Sequence, residues 1–254
     1  MTFDVAADAY TWFMGRFSSP LAVRFLDLVS PRPDAHALDV GCGPGALTTV
    51  LVERLGTDSV AAIDPSGPFV AALRERMPAV DVRRGEAEQL PFDDDSFDVA
   101  LAQLVVHFMR DPVAGLREMA RVTRPGGTVA ANVWDLAGGH APLTTFWDAV
   151  AELDPSAPDE SGLPGTREGQ LASLFEAAGL EDVEPSRLTV RVGFGSFEEW
   201  WEPYTLGVGP AGAYVAGLDA VRRAELRELC ARRLPSAAFT IEASAWCARG
   251  IIAG

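Results

Sequence analysis

The segment Leu38-Asp39-Val40-Gly41-Cys42-Gly43-Pro44-Gly45-Ala46-Leu47 constrains the fold more than any other part of the chain. A short apolar run stops at alternating glycines, and helix-forming residues follow at once. A buried strand that enters a helix through so tight a turn is the opening unit of an α/β sheet protein. Glycines put no Cβ between the backbone and a ligand. A helix that starts at the turn points its free N–H groups at a polar or anionic group.

The same alternation continues along the first half of the chain. Apolar runs predict strands over 35–40, 59–63, 80–83, 97–104 and 128–133, and periodic stretches predict helices over 46–55, 69–76 and 114–122. Arg124-Pro125-Gly126-Gly127 reads as a turn. Strands that are apolar throughout belong to a parallel sheet covered on both faces. Residues 135–169 are rich in Gly, Pro, Ser and Asp around the apolar stretch from Leu143 to Leu153. A helix over 171–178 ends at Gly179, strands follow over 183–192 and within 239–252, and helix-spaced sequence fills 197–234 between them.

At the N-terminal end, Phe13, Phe17, Leu21, Phe25 and Leu28 recur at steps of three and four, which predicts helix over 7–29 with a break at Ser18-Ser19-Pro20. The fold class expected is α/β: a doubly wound, mostly parallel sheet with N-terminal helices and a helical cap inserted before the last strand. One domain spans 1–254, with a helical lid at 1–34, a cofactor-binding core at 35–134 and the cap at 197–234.

Composition narrows the partners. The chain of 254 residues is 48% hydrophobic, which suits one sizeable core. Its formal net charge of -15, with no run of Lys or Arg to offset it, argues against nucleic acid or an anionic membrane as partner. The 3 cysteines are scattered and form no CxxC pair, so neither a zinc site nor a disulfide framework is expected. Reduced thiols, an N-terminus without a basic n-region and no apolar run of about 18 residues lead to the expectation of a cytoplasmic protein. Asp93-Asp94-Asp95 reads as a turn, not a metal site.

The glycine turn suits two kinds of nucleoside ligand. Dinucleotide sites use Gly-x-Gly-x-x-Gly; here Gly41 and Gly43 are followed by Ala46 at the third place, which such sites tolerate. Asp39 discriminates. A carboxylate just before the turn faces a pyrophosphate unfavourably and an amino group, such as that of S-adenosylmethionine, favourably. Asp64 ends the second strand, where a carboxylate accepts hydrogen bonds from both ribose hydroxyls, at about 1.5–3 kcal/mol each. That contact indicates a nucleoside without choosing between the two.

Three stretches then carry a resemblance. Leu38 to Gly45 resembles the first motif of class I, Rossmann-like S-adenosylmethionine-dependent methyltransferases, in the broad group that includes the ubiquinone-type enzymes. Gly85-Glu86-Ala87-Glu88-Gln89-Leu90-Pro91-Phe92 with Asp95-Ser96-Phe97-Asp98 resembles that group's third motif, and Arg117-Glu118 through Pro125-Gly126-Gly127 the segment before its fifth strand. Tyr10, Phe13-Met14-Gly15-Arg16 and the ending Ala245 to Gly250 look like a subgroup common in actinobacteria. The resemblance implies that the turn from Gly41 through Cys42 and Gly43 to Gly45 cradles the methionine part and ribose. By the same resemblance Asp64 holds the ribose hydroxyls, Pro65 and Ser66 lie beside the adenine, Glu86 and the amide of Ala87 bind its edge, and Gln103 lines the site near the reacting methyl.

The reaction expected is methyl transfer to a small molecule, at carbon, oxygen or nitrogen. The other readings are a non-methylating reaction such as cyclisation, a non-enzymatic cofactor-binding protein, and a nicotinamide oxidoreductase. His107, after the fourth strand, and His140, after the fifth, are candidate general bases, each set against a packing or helix-start role. Trp134, Phe146, Trp147, Trp200, Trp201 and Tyr204 serve either as the wall of a pocket for an apolar or aromatic acceptor or as helix-to-sheet packing. In the lid, Arg16 is expected to grip the cofactor's carboxylate and Tyr10 to close over its sulfonium, the alternative for Arg16 being a pair with a surface acid.

Overall fold

The structure, a computed structural model, describes residues 7–157 and 159–254. Seven strands form one sheet in the order β3-β2-β1-β4-β5-β7-β6. They are β1 (Ala37–Val40), β2 (Val60–Asp64), β3 (Asp81–Arg84), β4 (Phe97–Gln103), β5 (Thr123–Trp134), β6 (Glu181–Phe194) and β7 (Phe239–Ile251). The first five pair in parallel, and β7 runs antiparallel between β5 and β6. Strand order reverses between β1 and β4. In an open α/β sheet the carboxyl ends of the strands at such a reversal form a crevice.

Helices α3 (Ala46–Leu55), α4 (Gly67–Arg76), α5 (Pro112–Val122) and α7 (Gln170–Ala178) cover the two faces. One layer of the core gathers Phe25, Leu26, Leu47, Leu51 and Leu73 against β1 and β2. The other gathers Leu116, Met119 and Phe175 against β4 and β5. Gly179 ends α7 in the left-handed conformation, φ 90°, as the sequence requires. A third core lies over the carboxyl end of the sheet. There α6 (Thr144–Leu153), α8 (Phe197–Trp201), α9 (Gly209–Gly217) and α10 (Ala220–Arg233) pack on Phe146, Trp200, Trp201 and Tyr204.

Two local expectations differ from what forms. Helix α2 (Arg16–Val29) continues through Ser18-Ser19-Pro20 without a break. The irregularity lies upstream, where Thr11–Gly15 make a π-helical turn after α1 (Ala7–Tyr10). Crowding by the Pro20 ring falls on the carbonyl of Arg16, at the joint between the π turn and α2, so the helix absorbs it there. Arg124-Pro125-Gly126-Gly127 is not a free turn but a bulge inside β5. Register slips between Phe97↔Thr123 and Val99↔Thr128, and backbone bonds between Gly126–Gly127 and Ile252 hold the bulge to the end of β7. Among the described residues no helix is long and apolar enough to cross a membrane.

Candidate functional site

A cavity of about 450 Å³ opens at the carboxyl ends of β1, β2 and β4. The glycine turn forms its floor, and positive φ angles, with close packing at Gly41, explain the glycines. Gly41 has φ +71°, and a Cβ there would sit 2.4 Å from Val105. Gly43, at φ +53°, has open space on its side-chain face. Gly41 and Cys42 both donate their N–H to the carbonyl of Ile63, at 2.8 and 3.0 Å, so the turn hangs from β2.

Asp64 fastens this arrangement. Its Oδ2 accepts from the N–H of Gly43 and its Oδ1 from that of Ser66, both at 2.8 Å. Burial raises its carboxyl above the ordinary range, and the two N–H donors pull the other way. The side chain lines the cavity, with Pro65 and Ser66 beside it. Ser66 starts α4, its hydroxyl accepting from the N–H of Phe69.

At one end of the cavity lie Glu86 and Ala87, with Glu86 paired to Arg110 at 3.2 Å. Phe108 and Met109, from the turn after β4, give that end an apolar wall. At the other end is Gln103, the last residue of β4. Its Nε2 donates to the carbonyl of Ser18 at 3.0 Å, and its buried Oε1 has no partner among the described residues. Tyr10 also lines the cavity, edge-on to Phe69 at 5.2 Å. Its phenol is pushed up to about 12 by burial, then by the carboxylates of Asp64 and Glu160.

Five expected site residues do not line this cavity. Arg16 pairs with Glu199 and lies 4.6 Å over the ring of Phe194, so the acid-pairing alternative describes it. Asp39 faces the packed side of β1. It accepts from the hydroxyl of Thr48 at 2.6 Å and ties β1 to α3, and burial pushes its carboxyl up to about 7. Cys42 turns its thiol into the core beneath α3 and spends its N–H on Ile63. His107 is buried on the inner side of its 3-10 turn against Phe108, and burial pushes its imidazole down to about 3. His140 is on the surface, its Nδ1 2.9 Å from Asp135. Neither histidine is placed as a base for this cavity.

Most of the six aromatic candidates are packing residues. Trp134, Phe146, Trp200, Trp201 and Tyr204 are buried in the third core, and Tyr204 stacks on Phe146 at 4.6 Å. Several residues that sequence reasoning missed face the cavity, among them Val105, Phe108 and Met109. Their signal was position, since the loop after β4 must emerge at the crevice end. Glu160 was also missed. It is 5% exposed although it lies in a stretch whose composition signals an open loop.

A nucleoside-sized cavity at the switch point of a doubly wound sheet, with a carboxylate at the end of β2, defines a Rossmann-like cofactor-binding protein. The comparisons sharpen this. Residues 38–131 match the methyltransferase domain family. The nocamycin O-methyltransferase of Saccharothrix syringae is 33% identical over 202 residues, 72% of this chain and 72% of that protein. The chain therefore belongs to the class I S-adenosylmethionine-dependent methyltransferase family. An uncharacterized methyltransferase of Mycobacterium tuberculosis is 39% identical over 135 residues, 53% of this chain and 52% of that protein, so the match spans about half the length of that relative. The crystal structure of a putative methyltransferase from Bacillus halodurans shares the fold, with a TM-score of 0.59 at 16% identity, covering 92% of this chain and 99% of that one.

Proposed function

We propose that this protein transfers a methyl group from S-adenosylmethionine to a small-molecule acceptor that is apolar or aromatic in part, as a cytoplasmic enzyme. One observation carries the reading. The carboxylate of Asp64 is held at the end of β2 by the N–H of Gly43 and of Ser66, and it lines a cavity whose far end holds the unpaired Oε1 of Gln103. The cavity residues suit a nucleoside with a polar tail. Asp64 receives the ribose hydroxyls. Pro65, Phe108 and Met109 flank the base, Glu86 and the amide of Ala87 take its edge, and Gly41 and Gly43 let the tail approach the backbone. Gln103 orients the reacting end.

The bound cofactor supplies an electrophilic methyl group. The chain holds the acceptor in line and excludes water. Proximity of that kind is worth about 7–11 kcal/mol. Calorimetry tests the reading: S-adenosylhomocysteine is expected to bind at micromolar strength or better and NAD not to bind, and the reverse order overturns it. Turnover of methyl-labelled cofactor with a metabolite extract separates methyl transfer from a non-methylating reaction on the same fold.

A further inference from the structure

An ion pair that the fold does not need crosses one end of the cavity. Glu86 is in the loop after β3, and Arg110 is in the loop after β4. Both line the cavity. Nη2 of Arg110 donates to Oε1 of Glu86 at 3.2 Å, so the arginine side chain spans the mouth from one loop to the other. The two side chains are 84% and 51% exposed, and an ion pair that wet adds little to stability. Arg121 shows what a structural arginine looks like in the same neighbourhood. It bonds Glu118, Asp94 and the carbonyls of Leu90 and Phe92. Among the described residues the guanidinium of Arg110 has Glu86 alone.

The backbone beneath this side chain is fixed. Oε1 of Glu88 accepts the N–H of Arg110 at 2.8 Å and that of Asp111 at 3.2 Å, which ties the two loops together. Asp111 caps α5, its Oδ1 accepting from the N–H of Ala114 at 3.0 Å. Met109 packs so closely on α5 that a Cβ at Gly115 would lie 2.5 Å from its sulfur and 3.6 Å from Ala87. Only the side chain of Arg110 is free to swing. Met109 is buried and Arg110 is exposed, and both line the cavity. A flat ring seated at this end has an apolar surface beneath it and a planar cation above. A guanidinium stacks on the face of an aromatic ring.

We propose that Arg110 is a cofactor-binding residue, whose guanidinium swings aside to admit the adenine and then closes over the outer face of the base. The inference rests on the methyl-transfer reading above and adds to it a contact with the face of the base. In the closed state Nη2 of Arg110 keeps Oε1 of Glu86, and Oε2 is left for the exocyclic amino group of the adenine. Glu86 thus holds the base by its edge and the guanidinium in place above it. The contact is made at the opposite end of the cavity from Gln103, so it acts on the nucleoside and not on the reacting end. It needs a planar cation. Lysine offers the charge without the plane.

The test uses the full chain with two ligands: S-adenosylhomocysteine, and methylthioadenosine, which keeps the base and ribose but lacks the amino-acid tail. In calorimetry, Arg110→Ala should weaken both by the same factor, about threefold or more. Arg110→Lys should recover less than half of that loss. In stopped-flow displacement, S-adenosylhomocysteine should leave the Arg110→Ala variant about threefold faster or more. The thermal midpoint of the free protein should not move, because the pair is exposed. A smaller loss of affinity, a loss seen with S-adenosylhomocysteine but not with methylthioadenosine, or full recovery in Arg110→Lys overturns the proposal. So does a loss carried by slower association alone, which would make Arg110 a steering charge. A parent chain that binds neither ligand overturns the methyl-transfer reading instead.

Discussion

At the glycine-turn end of the cavity, each group that faces a ligand is held by close neighbours along the chain or by the adjacent strand. Asp64 is fixed by Ser66 two residues on and by Gly43, and the turn hangs from Ile63. At the cap end the fixing contacts join distant segments. Arg16 meets Glu199 across 183 residues of sequence, and Gln103 meets Ser18 across 85. The first end is built mainly from backbone and the second from side chains. A backbone cradle depends little on side-chain identity, whereas a side-chain enclosure can be rebuilt without disturbing it.

The comparison predicts that the two ends fail separately. Phe146 is fully buried in the third core, stacked on Tyr204. Phe146→Ala should cost about 3–5 kcal/mol of stability, read as a lower denaturant midpoint. Below that midpoint, S-adenosylhomocysteine should bind within threefold of the parent chain. A large loss of cofactor affinity in the folded variant would show that the two ends are one unit.

Asp64→Ala is the converse. It removes the carboxylate proposed to accept from two ribose hydroxyls and frees the N–H groups of Gly43 and Ser66. Affinity for S-adenosylhomocysteine should fall by about a hundredfold, about 3 kcal/mol, while the packing of the cap is retained. Calorimetry that finds an affinity within threefold would place the ribose elsewhere.

The same division decides what could be read from the sequence. The strand–turn–helix around Gly41 was legible because three glycines, an apolar run and a helix start are local, and local geometry leaves few folds open. Asp39 stood in that same local pattern and still misled, because its direction is set by Thr48, which is on the next helix but packs against β1. Arg16 was open between two partners for a similar reason, since nothing near it in sequence announces Glu199. His107 lies one residue from the cavity-lining Phe108, and the rotation of a 3-10 turn turns it inward. Glu160 left no local trace. Its neighbours in sequence are the turn-forming residues of an open loop, and the indole that reaches its carboxylate comes from Trp147 in α6.

Both ends hide a carboxyl, and that has a consequence for stability. Asp39 and Glu160 are each pushed up to about 7 by burial, while in the unfolded chain they titrate in the ordinary carboxylate range. Between about pH 4 and 7 the folded protein therefore binds more protons than the unfolded one, and stability falls as pH rises through that window. His107, pushed down to about 3 by burial, acts with the opposite sign up to the ordinary imidazole range and offsets one of the two carboxyls there, while Asp98 and Glu118, held below their usual range, oppose them only at the acidic edge. The free protein should melt at a lower temperature at pH 8 than at pH 5.5. Glu160→Gln should remove part of the difference and raise the melting temperature at pH 8, by about 1–3 kcal/mol equivalent. A melting temperature that rises with pH across this window would contradict the burial of both groups.

The smallest effect discriminates best at the cap end. The indole N–H of Trp147 is the donor that opposes the desolvation of Glu160. Trp147→Phe keeps most of the ring and removes the donor, so the Glu160 carboxyl should move further up. A hydrogen bond to a charged group is worth about 1.5–3 kcal/mol and one to a neutral group about half that. The variant should therefore lose more stability at pH 8, where Glu160 is ionised, than at pH 5.5, where it is protonated. In the Glu160→Gln background that pH dependence should vanish, because the partner no longer titrates. A double-mutant cycle run at both pH values isolates the term from the packing change that both backgrounds share. Coupling that is equal at the two pH values would mean that Trp147 only fills space, and Glu160 would then need another explanation for its burial.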